Sequence, residues 1–352
     1  MHCLLENGYL ARTMRAILWA ATVAMFSSPG VAQELACSGE ISGMGCFDST
    51  PMPGPAEPSP FRWFGRGKVV AAGDFAGTVV ARYASSPAEL VAPSSDPQGK
   101  LVPVVRSTAR LDLRAAAGLG RGMDVTIRQP LAISQVGSGP DALVSQSPPP
   151  LATSGIGDPS LSLRTKLPES LRFFDWAMRI EVTLPLGKAR AYLGNRDMTE
   201  GVAINAHWSR FGLSLVTDVG VRVARPLRFG DVTFGTHAFW GLGIDYAPFS
   251  NDILHLTIES LVRPQLVNAW TLPKPNKGDS APPPSPADWV MPAEWLISVS
   301  SKPADPEFWF SLGAGMAMPL SHRAYSDARM DSWFIAPSTP RYQLVASLAA
   351  RN

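Results

Sequence analysis

Two stretches decide how this chain is read: Arg110-Leu111-Asp112-Leu113-Arg114 and Met123-Asp124-Val125-Thr126-Ile127-Arg128. Both alternate charged or polar residues with apolar ones. Side chains alternate faces along a β-strand, so each run has one apolar face and one charged face. Gly118-Leu119-Gly120-Arg121-Gly122 lies between them. A phosphate-cradling glycine loop would need a helix after it, and here a strand follows, so the segment reads as a tight hairpin turn.

The same period of two recurs along the chain, in Leu161-Ser162-Leu163-Arg164, in Met178 to Leu184, in Leu254 to Glu259 and in Phe308 to Leu312. Twelve strands are expected, near 75–84, 106–117, 122–133, 158–167, 173–184, 201–208, 211–223, 231–246, 252–263, 289–300, 306–318 and 341–350. The connections alternate in length. Those at 85–105, 134–157, 185–200, 224–230, 264–288 and 319–340 are mostly long, whereas 118–121, 168–172, 209–210, 247–251 and 301–305 are short. In an antiparallel meander, odd and even connections lie at opposite ends. Short turns at one end, longer loops at the other and an even strand count fit a bacterial outer-membrane barrel. The expected fold is therefore all-β, a closed antiparallel up-and-down transmembrane β-barrel. In lipid such a sheet has to close, because an open edge leaves backbone groups unpaired. The alternative is a secreted β-sandwich, which would turn its apolar faces inward.

Rings near the expected strand ends suit an aromatic girdle: Phe173, Phe174, Trp176, Phe211, Phe239, Trp240, Tyr246, Phe249, Trp289, Trp295, Phe308, Trp309 and Tyr342. The polar faces carry Arg110, Asp112, Arg114, Asp124, Arg128, Arg164, Lys166, Arg179, Glu181, Asp218, Arg222, Asp245, His255 and Glu259, all expected to point inward as a pore lining. Lipid exposure of an Arg or Lys at the bilayer midplane would cost about 2–4 kcal/mol. These charges either line a mildly cationic passage for small polar or anionic solutes, or pair into a plug. Eight strands are filled by side chains and about sixteen leave a channel, so a strand count of twelve leaves both open.

Composition bounds the rest. The chain has 352 residues with Gly 30 and Pro 33; 45% of residues are hydrophobic and 17% charged. An ordinary soluble domain carries roughly 25% charged residues. The chain is too apolar for disorder throughout and too rich in turn formers for a helical bundle. A net charge of +2 gives no concentrated basic face, so nucleic acid is not an expected partner. The expected partners are outer-membrane lipid, small polar solutes and an unidentified surface partner for the loops.

Residues 1–32 read as a secretory signal. Arg12 and Arg15 precede the apolar run 16–26, and small residues lead to a cut before Gln33. Met14 is a possible start alongside Met1. The apolar run falls short of the roughly 20 residues that a transmembrane helix needs. Residues 33–70 read as a periplasmic arm and Pro-rich linker, and 71–352 as the barrel. Cys37 and Cys46 can close a small disulfide loop in an oxidising compartment, or remain free thiols. The segments 138–157 and 272–288 are low-complexity surface loops.

Once the strands are aligned, the stretches 81–92, 110–137 and 154–168 resemble the N-terminal barrel half of OmpA-family proteins. The resemblance lies in Gly118-Leu119 with Val125 and Pro130, in Gly155-Ile156-Gly157-Asp158 and in Leu184-Pro185-Leu186-Gly187, and it spans roughly residues 70–350. It implies an outer-membrane barrel. The peptidoglycan-binding domain usual in that family is not expected here, since the chain ends at Asn352.

Chemistry is not expected. His207, His237, His255 and His322 show no metal-ligand spacing, so no metal and no cofactor are anticipated. His207-Trp208-Ser209 resembles the His-x-Ser pair of lipid-A deacylase barrels, where a His activates a Ser nucleophile. An outer-membrane lipid hydrolase is thus a minor alternative to a passive barrel.

Overall fold

In the computed structural model, the described residues are 56, 59–65, 68–92, 100–137, 151–167, 173–187, 198–224, 227–229, 232–249, 253–264, 266, 292–302, 308–318, 334–335 and 340–351. The signal segment, Cys37, Cys46, Trp289, His322, 138–150 and 272–288 lie outside them.

Twelve long strands make one closed antiparallel barrel: β1 Phe75–Ala92, β2 Lys100–Gly120, β3 Met123–Val136, β4 Ser160–Lys166, β5 Asp175–Thr183, β6 Thr199–Arg210, β7 Leu213–Val223, β8 His237–Tyr246, β9 Leu254–Val262, β10 Ala293–Ser301, β11 Phe308–Ala317 and β12 Tyr342–Arg351. Each pairs with its neighbour in sequence, and β12 returns to β1 with Val80 opposite Ser347. Closure leaves no sheet edge. Arg351 pins it with an ion pair to Asp74 at 2.6 Å, just before β1.

The two faces are inverted relative to a water-soluble barrel. Leu163, Ile180, Ile204, Ile258, Leu312 and Leu348 point outward, each 43–54% exposed. Their strand neighbours Arg164, Glu181, Asn205, Thr257, Glu259, Ser311 and Ser347 are buried inside. A sandwich would have the opposite polarity, so that alternative falls.

Several boundaries differ from the sequence reading. The connection expected at 85–105 is largely strand: β1 runs on to Ala92 and β2 starts at Lys100, past a bulge between Ser85 and Ala88. The β-branched run Val102, Val104, Val105 extends the ladder beyond the bulge. The turn expected at 209–210 is Phe211-Gly212, with φ of 54° and 74°. Two positive φ values in succession match the twist of a tight hairpin. The strand expected at 231–246 is split, because Val232–Phe234 pairs with Leu227–Phe229 as a separate ribbon.

Two girdle assignments are also corrected. Phe239 and Trp309 face the lumen and are 3% and 5% exposed. Adjacent strand residues cannot share a face, and Trp240, Phe308 and Phe310 take the outward positions. Phe173, Phe174, Phe211, Tyr246, Phe249 and Tyr342 are exposed and Trp176 and Trp295 half-buried, all near strand ends.

Candidate functional site: the barrel lumen

The lumen is occupied by the chain's own N-terminal segment. Phe61, Arg62, Trp63 and Phe64 are at most 5% exposed. The three rings pack with Val80, Ala203, Val216, Phe239, Leu261, Leu296 and Val345, which come from strands around the whole barrel. The sequence reading left 33–70 as an arm outside the barrel; its described part, Ala56 and 59–65, lies within. The segment enters and leaves at the short-turn end. Ala56 carbonyl accepts from the Thr78 hydroxyl at 2.8 Å, and Val70 amide donates to Asp124 at 2.8 Å. Burying each phenyl ring contributes about 1.5–3 kcal/mol.

Glycines make room for those rings. A Cβ on Gly241 would lie 2.0 Å from Phe64 Cε1, and one on Gly243 would lie 2.7 Å from Phe61 Cδ1. Both glycines are inward positions of β8 (FWGLGIDY, 239–246), where any side chain would take the space of the segment. Glu259 of β9 holds the turn of the segment. Its carboxylate accepts the Arg62 amide at 2.7 Å and the Trp63 amide at 2.8 Å. Fully buried, it uses both oxygens on backbone donors.

Arg110, Asp112, Arg114, Asp124, Arg128, Arg164, Lys166, Arg179, Glu181, Asp218, Arg222, Asp245, His255 and Glu259 all occupy inward positions. Most are joined within a strand, to the next strand or across one intervening strand. Asp112 pairs with Arg114 and with Arg128, each at 2.7 Å. Asp124 pairs with Arg164 at 2.6 Å, Asp218 with Arg179 at 3.1 Å and Glu181 with Arg222 at 2.6 Å. Asp245 accepts from Thr257 at 2.9 Å and meets His255 Nδ1 at 2.8 Å. Paired, hydrogen-bonded charges tolerate burial that single charges do not. A second arginine set, absent from the sequence reading, centres on Glu294: Arg82 at 2.9 Å and Arg263 at 3.1 Å, with Gln343 also donating. The alternation of β1 and β10 was the signal for it.

Between the segment and this charged wall remains a recess of about 30 Å³, lined by Arg62, Trp63, Arg82, Arg110, Asp112, Arg114 and Arg128 among others. That is room for a water or two.

His207 is buried, with Asp175 Oδ2 3.7 Å from its Nδ1, beyond hydrogen-bond reach. The Ser214 hydroxyl donates to Ser209 Oγ at 3.1 Å. The aligned hydrogen bonds of a nucleophile–base–acid relay are not assembled there. Among the described residues no group of His, Cys, Asp and Glu could hold a metal ion.

A closed barrel of inverted polarity, filled by its own leading segment, is the class of structure these features define. An outer membrane channel from Pseudomonas putida F1 shares the fold, with a TM-score of 0.53 at 12% identity over 82% of this chain and 98% of that one. Weaker likenesses are the TodX monoaromatic hydrocarbon channel in a deltaS2 mutant (TM-score 0.40, 7% identity, 80% and 90% covered) and the Ralstonia pickettii toluene transporter TbuX (0.37, 8%, 80% and 90%). At such identities the likeness is one of fold. No protein-family model matches the sequence, and no curated protein matches it.

Proposed function

We propose that this chain is an exported outer-membrane barrel acting as a passive channel for small polar solutes, and that the structure is its closed state, stoppered by residues 59–65. The apolar outer band supports the membrane location. In this reading the short turns face the periplasm, where the leading segment would remain after export.

The observation that carries the channel reading is that the wall does not depend on the stopper. The pairs Asp112–Arg128, Asp124–Arg164, Arg179–Asp218 and Glu181–Arg222 are complete without it. The segment rests on apolar contacts and on hydrogen bonds such as those to Glu259, so its departure leaves these wall pairs intact beside the apolar patch that held its rings. On β2 to β5 alone, the inward Arg110, Arg114, Arg128, Arg164, Lys166 and Arg179 outnumber Asp112, Asp124, Asp175 and Glu181, while Asp218, Asp245, Glu259 and Glu294 offset the cations of the other strands. This excess of cations favours anionic solutes. A relationship to OmpA-family barrels rests on the turn residues of 118–130, 155–158 and 184–187.

The test is the reversal potential of the inserted chain across a salt gradient, before and after Arg114→Glu. An anion-selective potential that moves toward cations supports the reading. Protein shown to be inserted by heat-modifiable gel mobility, yet silent under every stopper-loosening substitution, would leave a closed structural barrel whose loops bind a partner.

A further inference from the structure

Arg62 presents an energetic problem that the stopper does not require. Three buried rings would close the lumen alone, yet a guanidinium is buried with them at 5% exposure. Arginine stays charged in proteins. Burying a charge without a counter-charge costs several kcal/mol. Among the described residues no carboxylate comes within ion-pair distance of this group, and Glu259 and Asp245 attract it only from farther off. Glu259 is taken up by the backbone amides of Arg62 and Trp63.

Neutral acceptors hold the guanidinium. Nη1 donates to Ser347 Oγ, and Nη2 donates to Ser300 Oγ at 3.2 Å, to the Ser59 carbonyl at 2.9 Å and to the Pro60 carbonyl at 3.2 Å. The two serines belong to one row. Ser300 of β10 stands opposite Ser311 of β11, and Ser311 stands opposite Ser347 of β12, with Ser311 Oγ and Ser347 Oγ 2.9 Å apart. All three face inward and are at most 4% exposed. A barrel wall needs no such row, since Leu296 and Val345 fill inward positions on the same strands. Hydroxyl oxygens in a row suit a fork of N–H donors.

We propose that the hydroxyl row Ser300–Ser311–Ser347, with the Glu259 carboxylate nearby, is a lumenal binding site for guanidinium-type organic cations, and that Arg62 is its built-in occupant in the closed state. This rests on the reading of the barrel as a channel stoppered by residues 59–65. The stopper is then an internal ligand, and a soluble cation bearing N–H donors competes for the same acceptors.

The experiment uses the full chain with Arg62→Ala, probed with millimolar guanidinium chloride against tetramethylammonium chloride, which has no N–H donors. Removing the side chain leaves a guanidinium-sized space whose acceptors remain. The expected result is a several-fold rise in open probability over the unsubstituted chain, most of it reversed by guanidinium and none by tetramethylammonium. Adding Ser300→Ala and Ser347→Ala abolishes the reversal. An Arg62→Ala channel that opens and ignores guanidinium overturns the site while leaving the channel reading standing. Should Arg62→Ala stay silent, the midpoint of the heat-modifiable gel shift is the second readout. Mass action requires a bound cation to raise it. A guanidinium-specific rise, lost with the two serines, supports the site, and an unchanged midpoint overturns it.

Discussion

Strands β2 to β7 and strands β8 to β12 enclose the same lumen with different shares of long and short side chains. The first wall is long charged side chains, Arg110, Asp112, Arg114, Asp124, Arg128, Arg164, Arg179, Glu181, Asp218 and Arg222, mostly joined to one another within one or two strands. The second mixes Asp245, His255, Glu259, Arg263 and Glu294 with short residues: Gly241, Gly243, Ser298, Ser300, Ser311, Gly313, Gly315 and Ser347. Side-chain length decides where the stopper lies. The charged wall fills its own half and satisfies itself. The short wall leaves a trough, and Phe61, Phe64 and the Arg62 head group occupy it. The stopper touches the charged wall sparingly, through Arg114 Nη1 to the Arg62 carbonyl at 3.4 Å, and Val70, farther along the chain, donates to Asp124. A barrel of intermediate girth can thus be closed by asymmetry, one side filled by its own wall and the other by a borrowed segment.

The contrast predicts unequal responses to substitution. The largest stability loss belongs to the charged wall. Asp124→Ala removes the 2.6 Å ion pair of the buried Arg164 and the acceptor of the Val70 amide. It is expected to cost about 3–5 kcal/mol, read as a lower midpoint of heat-modifiable gel mobility. A midpoint within error of the parent would mean that the wall does not depend on its pairs.

Next comes the outer face. Leu163 lies between Ser162 and Arg164 and points outward, 43% exposed. Leu163→Arg puts a guanidinium on that face, at about 2–4 kcal/mol if the site is near the bilayer midplane. The same substitution at the lumenal Ser162 is expected to be milder. Equal penalties at the two positions would contradict the assignment of faces.

The glycine trough follows. Gly241→Val collides with Phe64, whose Cε1 lies 2.0 Å from a Cβ placed there. Overpacking of about 1–3 kcal/mol is expected, relieved when the segment leaves, so conductance rises while the barrel persists. A variant that is destabilised yet no more conductive would show the segment to be a fixed core. Smallest is Ser311→Ala, which removes one neutral hydrogen bond to Ser347, worth about 1 kcal/mol.

The barrel was legible because its strands obey one rule. Every second residue from Arg110 to Arg114 and from Asp124 to Arg128 is charged or polar, and lipid on one side makes that alternation strict. Turn positions were legible less sharply: Phe211-Gly212 was missed because Phe seldom takes a positive φ. The stopper was not legible. Phe61-Arg62-Trp63-Phe64 follows a Pro-rich stretch that reads as linker, and its partners are hundreds of residues away in sequence, such as Glu259 and Ser347. Period-two reasoning shows which way a side chain points, but not what fills the space ahead of it. Two signals were present all the same. Three aromatic residues within 61–64 are more than a linker needs, and Gly241 and Gly243 stand at inward positions that another backbone or ring must approach.

Single-channel conductance of the refolded full chain, compared with the variant Phe61→Ala, Trp63→Ala, Phe64→Ala, tests the central claim most directly. Both proteins are first shown to be inserted by heat-modifiable mobility. A self-stoppered channel predicts rare or small steps from the parent and frequent, several-fold larger ones from the variant, with the charged wall setting the same sign of selectivity in both. Identical traces from the two, whether silent or conducting, would contradict it.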